Sequence, residues 1–562
     1  MKGKVKDITA FFSIVSVILV LAFILNRLDI RLDLTSDKRH SLSDATKDIL
    51  EKLDDDIYIQ VFLDGDLRVE FKRLRRELIY RLEEFRIISG KKVDYGFINP
   101  SASDDPEIRY RYQVSLINKG LLPVTVMAED AEGAQSEKTI FPGLTVNCND
   151  VEIPVNFLRN NPALPAEQNL MHSIEGLEYE LISSIATITS DTIHRVAFIE
   201  GHGELEEVEV ADLTLELAKY FTIDRGTIAG VPGVLDSYSA IVIAGPQSPF
   251  SEEDKLVIDQ YIMNGGKVLW LLDEVKVNTD SLTGGGSLAF YEPLELEDQL
   301  FRYGVRINPL IVQDQDCQTI SVVGTYMGSG QQTIRIPWIY NPLLYPSLRS
   351  PVTRAINKVR GEFVNFIDTL GTAGDIKKQV LLATSPNARY VSPPRLISLD
   401  EFRDPPSPES FNQSYLPVAV LLEGSFTSVF KNRRKSYNGR PLVEESKANR
   451  MIVVADGDIA RNEVQREGNS LIPLSLGQDR VTQQVYGNKD FLVNSINYLV
   501  DDRGIMDLRS RELKLRLLDE EKVSSGKIFW QLINTLGPVM LVIAGGLLYS
   551  FIRKRRMSIK SL

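Results

Sequence analysis

Polar and apolar positions along this chain follow three patterns, and each predicts a different kind of element. Two long, mostly apolar stretches carry no charged residue at all. Ile8 to Leu25 is an uncharged run of 18 residues, the length that crosses a hydrocarbon layer of about 30 Å. It is longer than the apolar region of a signal peptide and runs on into Asn26-Arg27-Leu28-Asp29, so an uncleaved anchor is expected. Ile528 to Ile552 is a second uncharged run, of 25 residues, with Trp530 and Tyr549 near its ends, where aromatic rings favour the membrane interface.

Between these runs the period changes repeatedly. Ser41-Leu-Ser-Asp44 supplies a capping pattern before the helical stretch Ala45 to Leu53. Ile57 to Leu63 alternates like a strand, Val69 to Ser89 has helical spacing, and Lys92 to Ile98 reads as a strand again, together a βαβ unit with a parallel pair. Pro100 to Pro106 breaks the pattern, and irregular β structure is expected from there to Pro165. Ser173 to Thr189 is helical, with Ile174, Leu177, Leu181, Ile185 and Ile188 on one face.

Downstream the strands lose their alternation. Arg195 to Glu200, Ala240 to Ala244 and Lys267 to Leu272 are short apolar runs, separated by helices near Val208 to Tyr220 and after the capping sequence Ser251-Glu-Glu-Asp254, the latter stopped at Gly265-Gly266. Strands apolar on every position, alternating with helices, predict a doubly wound sheet covered on both faces. Gln379 to Ala383, Pro417 to Leu422 and Met451 to Ala455 would extend it, followed by a helix from Phe491 to Val500. Thr283 to Ser287 and Pro393 to Pro408 read as loops, and Lys431 to Arg440 as a basic loop. The expected layout is an anchor at 1–26, a first α/β domain at 27–190, a second at 191–500, a juxtamembrane segment at 501–527, and a closing span with basic tail at 528–562.

Charge sets the orientation. Lys2, Lys4 and Lys6 precede the first run, and Arg553, Lys554, Arg555, Arg556 and Lys560 follow the second, so both termini are expected in the cytoplasm. With Asp7 these tails carry a net +7, which leaves −19 of the total −12 for residues 27–527. So acidic a region repels phosphate backbones, and no nucleic-acid partner is expected. Two cysteines, Cys148 and Cys317, set no disulfide framework, and pairing or two separate thiols both stay open.

The chemistry that can be excluded is as informative. The sequence has no G-x-x-x-x-G-K-[ST] phosphate loop and no G-x-S-x-G elbow. His40, His172, His194 and His202 match no metal-ligand spacing, so no metal, cofactor or catalytic residue is assigned. Residues do collect at the expected carboxyl ends of strands: His202 and Glu204, Gly245, Asp273, and Asp456 with Asp458. That edge is where open α/β sheets bind ligands, although the same residue types also end strands and cap helices. Inside the closing span, Gln531, Asn534, Gly545 and Gly546 are the amide and small side chains that favour close helix contact, here with a permease.

These segments resemble a known family. RLDLTSDKRHSLSDATKDIL, SIEGLEYELISSIATI, FIEGHGE, AIVIAGPQSPFSEEDKLVIDQYIMNGGKVLWLLDE, VAVLLEGSF, VVADGDIARN and RSRELKLRLLD occur in that order, followed by a proline-containing span and RKRR. The chain is thereby similar, over nearly its whole length, to the GldG family of gliding-motility-associated ABC transporter auxiliary components of Bacteroidota. The resemblance implies an inner-membrane subunit, periplasmic over 27–527, whose partners are a multi-span permease and, through it, a cytoplasmic ATPase. It also implies a flavodoxin-like second domain akin to glutamine amidotransferases or an intraflagellar-transport-type domain. Gly245-Pro246-Gln247 stands where an amidotransferase has its cysteine nucleophile, so the fold is carried over and the activity is not. The function expected is a non-enzymatic auxiliary subunit that captures a ligand or couples the permease to the envelope. The rivals are a scaffold without ligand and a hydrolase or transferase using His202 with Asp273 or Asp456.

Overall fold

A computed structural model describes residues 13, 15–17, 20, 41–129, 135–159, 165–190, 194–282, 285–325, 331–371, 376–433, 435–468, 470–480, 482, 484–510 and 526–558. The first expected span lies almost wholly outside the described residues. Two compact units are present, one holding residues 1–41 with 512–562 and the other Leu42–Arg511.

In the second unit, α1 (Asp44–Glu51) is capped by Ser43, which accepts from the Thr46 amide at 2.9 Å. The cap therefore sits two residues beyond the expected Ser41. Tertiary contact selects it: Glu178 accepts from the Ser43 amide at 2.7 Å and from the Thr46 hydroxyl at 2.8 Å. β1 (Ile57–Val61), α2 (Val69–Ile88) and β2 (Val93–Phe97) follow, the two strands being parallel.

The stretch after Pro100 is not all β structure. It opens with α3 (Pro106–Asn118), whose cap Asp105 accepts from the amides of Glu107 and Ile108. Proline at the first helical position begins a helix rather than ending one, because the missing N–H has no partner there anyway. β3 (Val124–Glu129) and β4 (Gln135–Ile140) form a separate hairpin. β5 (Gly143–Cys148) and β6 (Val151–Asn156) complete a four-stranded sheet in the order β2-β1-β5-β6. α4 (Ala166–Ile188) starts seven residues before the expected Ser173.

The hydrophobic core does not pause near residue 190. Leu177, Leu181 and Ile185 of α4 share one cluster with Val196 and Phe198 of β7 (Arg195–Glu200), so the expected division at 190 falls inside continuous packing. From β7 the chain passes through α5 (Ala211–Leu217) to β8 (Thr222–Thr227) and then returns past β7 to β9 (Ala240–Ala244). α6 (Glu252–Met263) leads to β10 (Lys267–Leu271). α6 stops at Asn264 because Gly265 turns to φ 98°, a conformation that favours glycine.

Beyond β10 lie β11 (Val275–Lys276), β12 (Ser287–Tyr291), α7 (Glu297–Tyr303), β13 (Cys317–Thr325), β14 (Gln331–Pro346), β15 (Lys377–Ala383), β16 (Arg395–Ile397), β17 (Pro417–Thr427), β18 (Glu445–Val454) and α8 (Asn488–Val500). The main sheet runs β13-β14-β15-β17-β18-β10-β9-β7-β8. Its β18-β10-β9-β7-β8 half is parallel, whereas β17 runs antiparallel to both of its neighbours, β15 and β18. The sheet is therefore mixed. Along the parallel strands alternate residues enter opposite cores: Val242, Leu269 and Val454 pack with α8 residues Phe491, Leu492 and Ile496, while Ile243, Trp270 and Val453 pack with Ile258 and Ile262 of α6. Both faces being covered is why these strands carry no polar alternation.

Cys148 and Cys317 are both free. The other unit contains α9 (Lys527–Ser558), of which Phe529–Ile552 is long and apolar enough to cross a membrane and is not buried by the protein.

Candidate functional site

β7, β9, β10 and β18 are parallel, so their carboxyl ends meet on one edge. The residues there separate into two groups. His202, 7% exposed, turns to Glu204 and Asp254: Nδ1 lies 3.1 Å from Glu204 Oε1 and Nε2 lies 3.3 Å from Asp254 Oδ2. Its ring stacks on Phe250 at 3.7 Å between centroids. Burial opposes charging the imidazole, but the two carboxylates prevail and hold its pKa above the ordinary histidine value. Asp254 belongs to the first turn of α6 and also accepts from the Gly230 amide, so His202 is packed under that helix terminus.

The chain order β8-β7-β9 makes the β7/β9 boundary the switch point, where a crevice is expected to open. Here it is sewn together. The Gln247 and Ser248 amides donate to the His202 carbonyl at 2.7 and 2.8 Å, and the Leu205 amide donates to the Ala244 carbonyl at 3.0 Å.

The second group gathers around β10 and β18. Asp273 accepts from the Gly457 amide at 2.9 Å. Asp456 accepts from the Glu362 amide and the Ile459 amide, both at 3.1 Å. Gly457 and Gly245 pack backbone against backbone, where any side chain on Gly457 would strike Asp273. Asp458 pairs with Arg461 at 2.8 Å, and Arg461 lies 3.3 Å from Glu209. Lys276 donates to the Pro246 carbonyl at 2.7 Å. Sequence reasoning placed Asp273, Asp456, Asp458 and Gly245 at this edge but missed Glu362, Arg461, Glu209 and Lys276. Arg461 had a local signal, since an arginine three residues after Asp458 on a helical turn faces it; Glu362 and Glu209, the latter on a helical turn at Glu207–Val210, come from remote segments and had none.

Acids outnumber bases in this cluster, and burial raises the pKa of Asp273, Glu274, Glu362 and Asp456. Burial and then the Asp458 charge push Asp273 and Glu362 up to about 7. Burial and then Glu297 push Glu274 up to about 8. Asp456 is driven well above the carboxylate range by burial and by Asp273 and Asp458. Among the described residues no group of His, Cys, Asp or Glu is arranged to hold a metal ion.

A pH dependence follows. A carboxyl whose folded pKa is raised binds its proton in the folded state at pH values where the unfolded chain has already lost it, so stability falls as pH rises through that interval. For these acids the interval runs from about 4 to about 8. His202, raised above its unfolded value, acts in the same direction above pH 6.5. The melting temperature is expected to be highest near pH 5 and lower at pH 8, and Asp273→Asn should flatten the difference. A melting temperature that climbs from pH 5 to pH 8 would refute the protonated cluster.

A cavity of about 680 Å³ lies at the opposite edge, between the C-terminal half of α6, the 232–239 segment and the 437–443 segment. The basic loop forms its wall and is strapped down. Gln260 grips Val443 through both backbone groups, Tyr437 donates to the Gly230 carbonyl, and Arg440 and Lys431 pair with Asp236 and Glu445. Two of the loop's cations thus neutralise the protein's own acids.

On α9, at about 3.6 residues per turn, Gln531, Asn534, Pro538 and Gly545 fall within an arc of about 60°, with Gly546 about 60° further round. All four expected contact residues are exposed. Pro538 cannot donate to the Asn534 carbonyl, which adds a free acceptor to the same stripe.

Residues 194–495 match the family described as an ABC-type uncharacterized transport system, and residues 36–147 match a domain of unknown function, DUF7088. No curated protein matches. Among solved structures the mmIFT52 N-terminal domain aligns at 13% identity, covering 55% of this chain and 98% of that one, with a TM-score of 0.31.

Proposed function

Because the chain belongs to the family of auxiliary components of ABC-type transport systems, we propose that it is a membrane-anchored subunit that hydrolyses no ATP and works beside a permease and, through it, an ATPase. The observation that carries this reading is α9, whose 24-residue apolar segment is not covered by the other described residues and is followed by a basic tail. Lipid or another membrane helix is the only solvent in which such a surface is stable. Its amide and glycine stripe is the side we assign to the permease, since small residues let helices approach closely and polar ones find partners there.

In the finer form of the proposal, the chain is a GldG-type component of a gliding-associated system. Both termini are cytoplasmic, Ile8 to Leu25 is a second span, and residues 27–527 are periplasmic at the inner membrane. The order of the shared segments and the basic flanks of both runs support that form. The strand-edge residues are read as the seat of coupling rather than of chemistry, because their acids are spent on backbone amides.

Purification of the tagged full chain in mild detergent is expected to recover a multi-span permease and an ATPase, with ATP turnover belonging to the complex. Removing residues 528–562 should lower that recovery at least tenfold, and Gln531→Leu with Asn534→Leu should lower it several-fold without releasing the chain from membranes. Turnover by the isolated chain, abolished by one of its own substitutions, would sink the proposal.

A further inference from the structure

β11, β12 and β16 form a three-stranded sheet that stands apart from the main one. In its register Leu288 lies directly opposite Leu396, and Phe290 opposite Lys276. Side chains alternate between the faces of a strand. The inner face is conventional, with Val275, Ala289 and Ile397 packed against Ile311, Trp338, Tyr340 and Phe363. The outer face should then be polar, as in other sheets with one solvated side. It is instead apolar: Leu288, Phe290 and Leu396 stand there at 56%, 44% and 64% exposure. A leucine pair in register with a phenylalanine two residues along is a contiguous patch, unlike scattered surface leucines, and such patches mark interaction sites.

The chain that continues from the patch is acidic, while Arg395, beside Leu396 on β16, is already paired with Glu401. The chain leaving β12 reads Glu292-Pro-Leu-Glu-Leu-Glu-Asp298, and Glu295 is exposed. Tyr291, at the end of β12, donates to Glu297 at 3.1 Å. Burial first, and then the charges of Glu297, Glu274 and Glu295, push its phenol up, so the acids act together on this corner. Phe290's ladder partner Lys276 is turned to the Pro246 carbonyl, so the patch adjoins the strand edge with its own excess of acids.

We infer that the outer face of the β11-β12-β16 sheet is a docking surface for a segment of another protein that carries apolar side chains together with lysine or arginine. Charge decides between the occupants. An anionic membrane surface is repelled by Glu292, Glu295 and Glu297. A second copy of this chain is repelled as well, since residues 27–527 carry −19. A cationic apolar segment gains burial of the patch and attraction to its rim, the combination that gives specificity and speeds association. The inference goes beyond the transport-subunit reading and does not depend on which permease is present.

The test uses the full chain in nanodiscs of zwitterionic phosphatidylcholine, with empty discs as blank, and three labelled nine-residue probes of alternating leucine and lysine, leucine and glutamate, or serine and lysine. Fluorescence anisotropy is expected to detect the leucine–lysine peptide with at least tenfold tighter binding than either of the others. Leu288→Ser with Leu396→Ser should remove that preference at unchanged melting temperature, since both side chains are more than half exposed. Glu292→Gln with Glu295→Gln should weaken binding and flatten its salt dependence. Equal binding of the leucine–glutamate or serine–lysine peptide, no binding at all, or full binding by the double serine variant would each overturn the assignment.

Discussion

Gly457→Ala is expected to cost about 3 kcal/mol or more, enough to deplete the folded protein. The backbone at Gly457 sits at φ −77°, which any residue adopts, so the requirement for glycine is one of space alone. An added Cβ would stand 2.6 Å from the Gly245 Cα and 3.2 Å from its nitrogen, and would collide with the Asp273 carboxylate. Neither neighbour can yield cheaply. Gly245 is fixed by its amide bond to the Leu271 carbonyl, and moving Asp273 breaks its bond to the Gly457 amide. Gly226→Ala, in β8 with open space around the new methyl, is the control and should be close to neutral. Thermal unfolding read from tryptophan fluorescence, with Trp270 fully buried, distinguishes the two; a Gly457→Ala protein melting within about 1 °C of wild type would refute the close-packing argument.

Arg461→Met should destabilise the protein by about 2 kcal/mol at pH 8 and by much less at pH 5. Removing one partner of a buried pair typically costs about 3 to 5 kcal/mol. Arg461 keeps a third of its side chain in solvent, and screening there brings the loss below that range, to about 2 kcal/mol. The pH signature is the sharper part. Arg461 faces Asp458, Glu209, Glu362 and Asp273, which without it repel one another when ionised. At pH 5 Asp273 and Glu362 are protonated in the folded state, so fewer negative charges are left facing the place of the missing cation. Urea unfolding at both pH values measures the difference. A loss independent of pH would mean that Arg461 contributes packing rather than charge, and rescue by Asp458→Asn at pH 8 should appear only if charge is the cause.

Much of the architecture was legible in the residues. The apolar runs at Ala240–Ala244 and Lys267–Leu271 announced strands covered on both faces, because a strand with one wet side needs polar alternation. Ser251 and Gly265 fixed the ends of α6 by local capping chemistry, which needs no tertiary information. α3 was missed where Pro106 was read as a breaker, although Asp105 before it is a strong cap. The antiparallel strands β15 and β17 could not be told from parallel ones, since burial on both faces gives the same apolar run in either direction.

For the candidate site, the sequence by itself determined which residues stand at the strand ends and that they are acidic. It also fixed the bare apolar helix with its amide and glycine stripe, because length, charge and period are local quantities. Only the tertiary structure decided what the strand-end residues do. It turned His202 under α6 between two carboxylates, closed the β7/β9 crevice with backbone bonds, and brought Glu362 and Glu209 from two other segments to Asp458 and Arg461. It also formed β12 and β16, the latter inside a stretch that reads as a loop, and left Leu288, Phe290 and Leu396 uncovered on them. The reason is common to all of these: partnership and burial depend on chain segments far apart in sequence, and a local pattern states what a residue can offer but not which remote segment arrives to meet it.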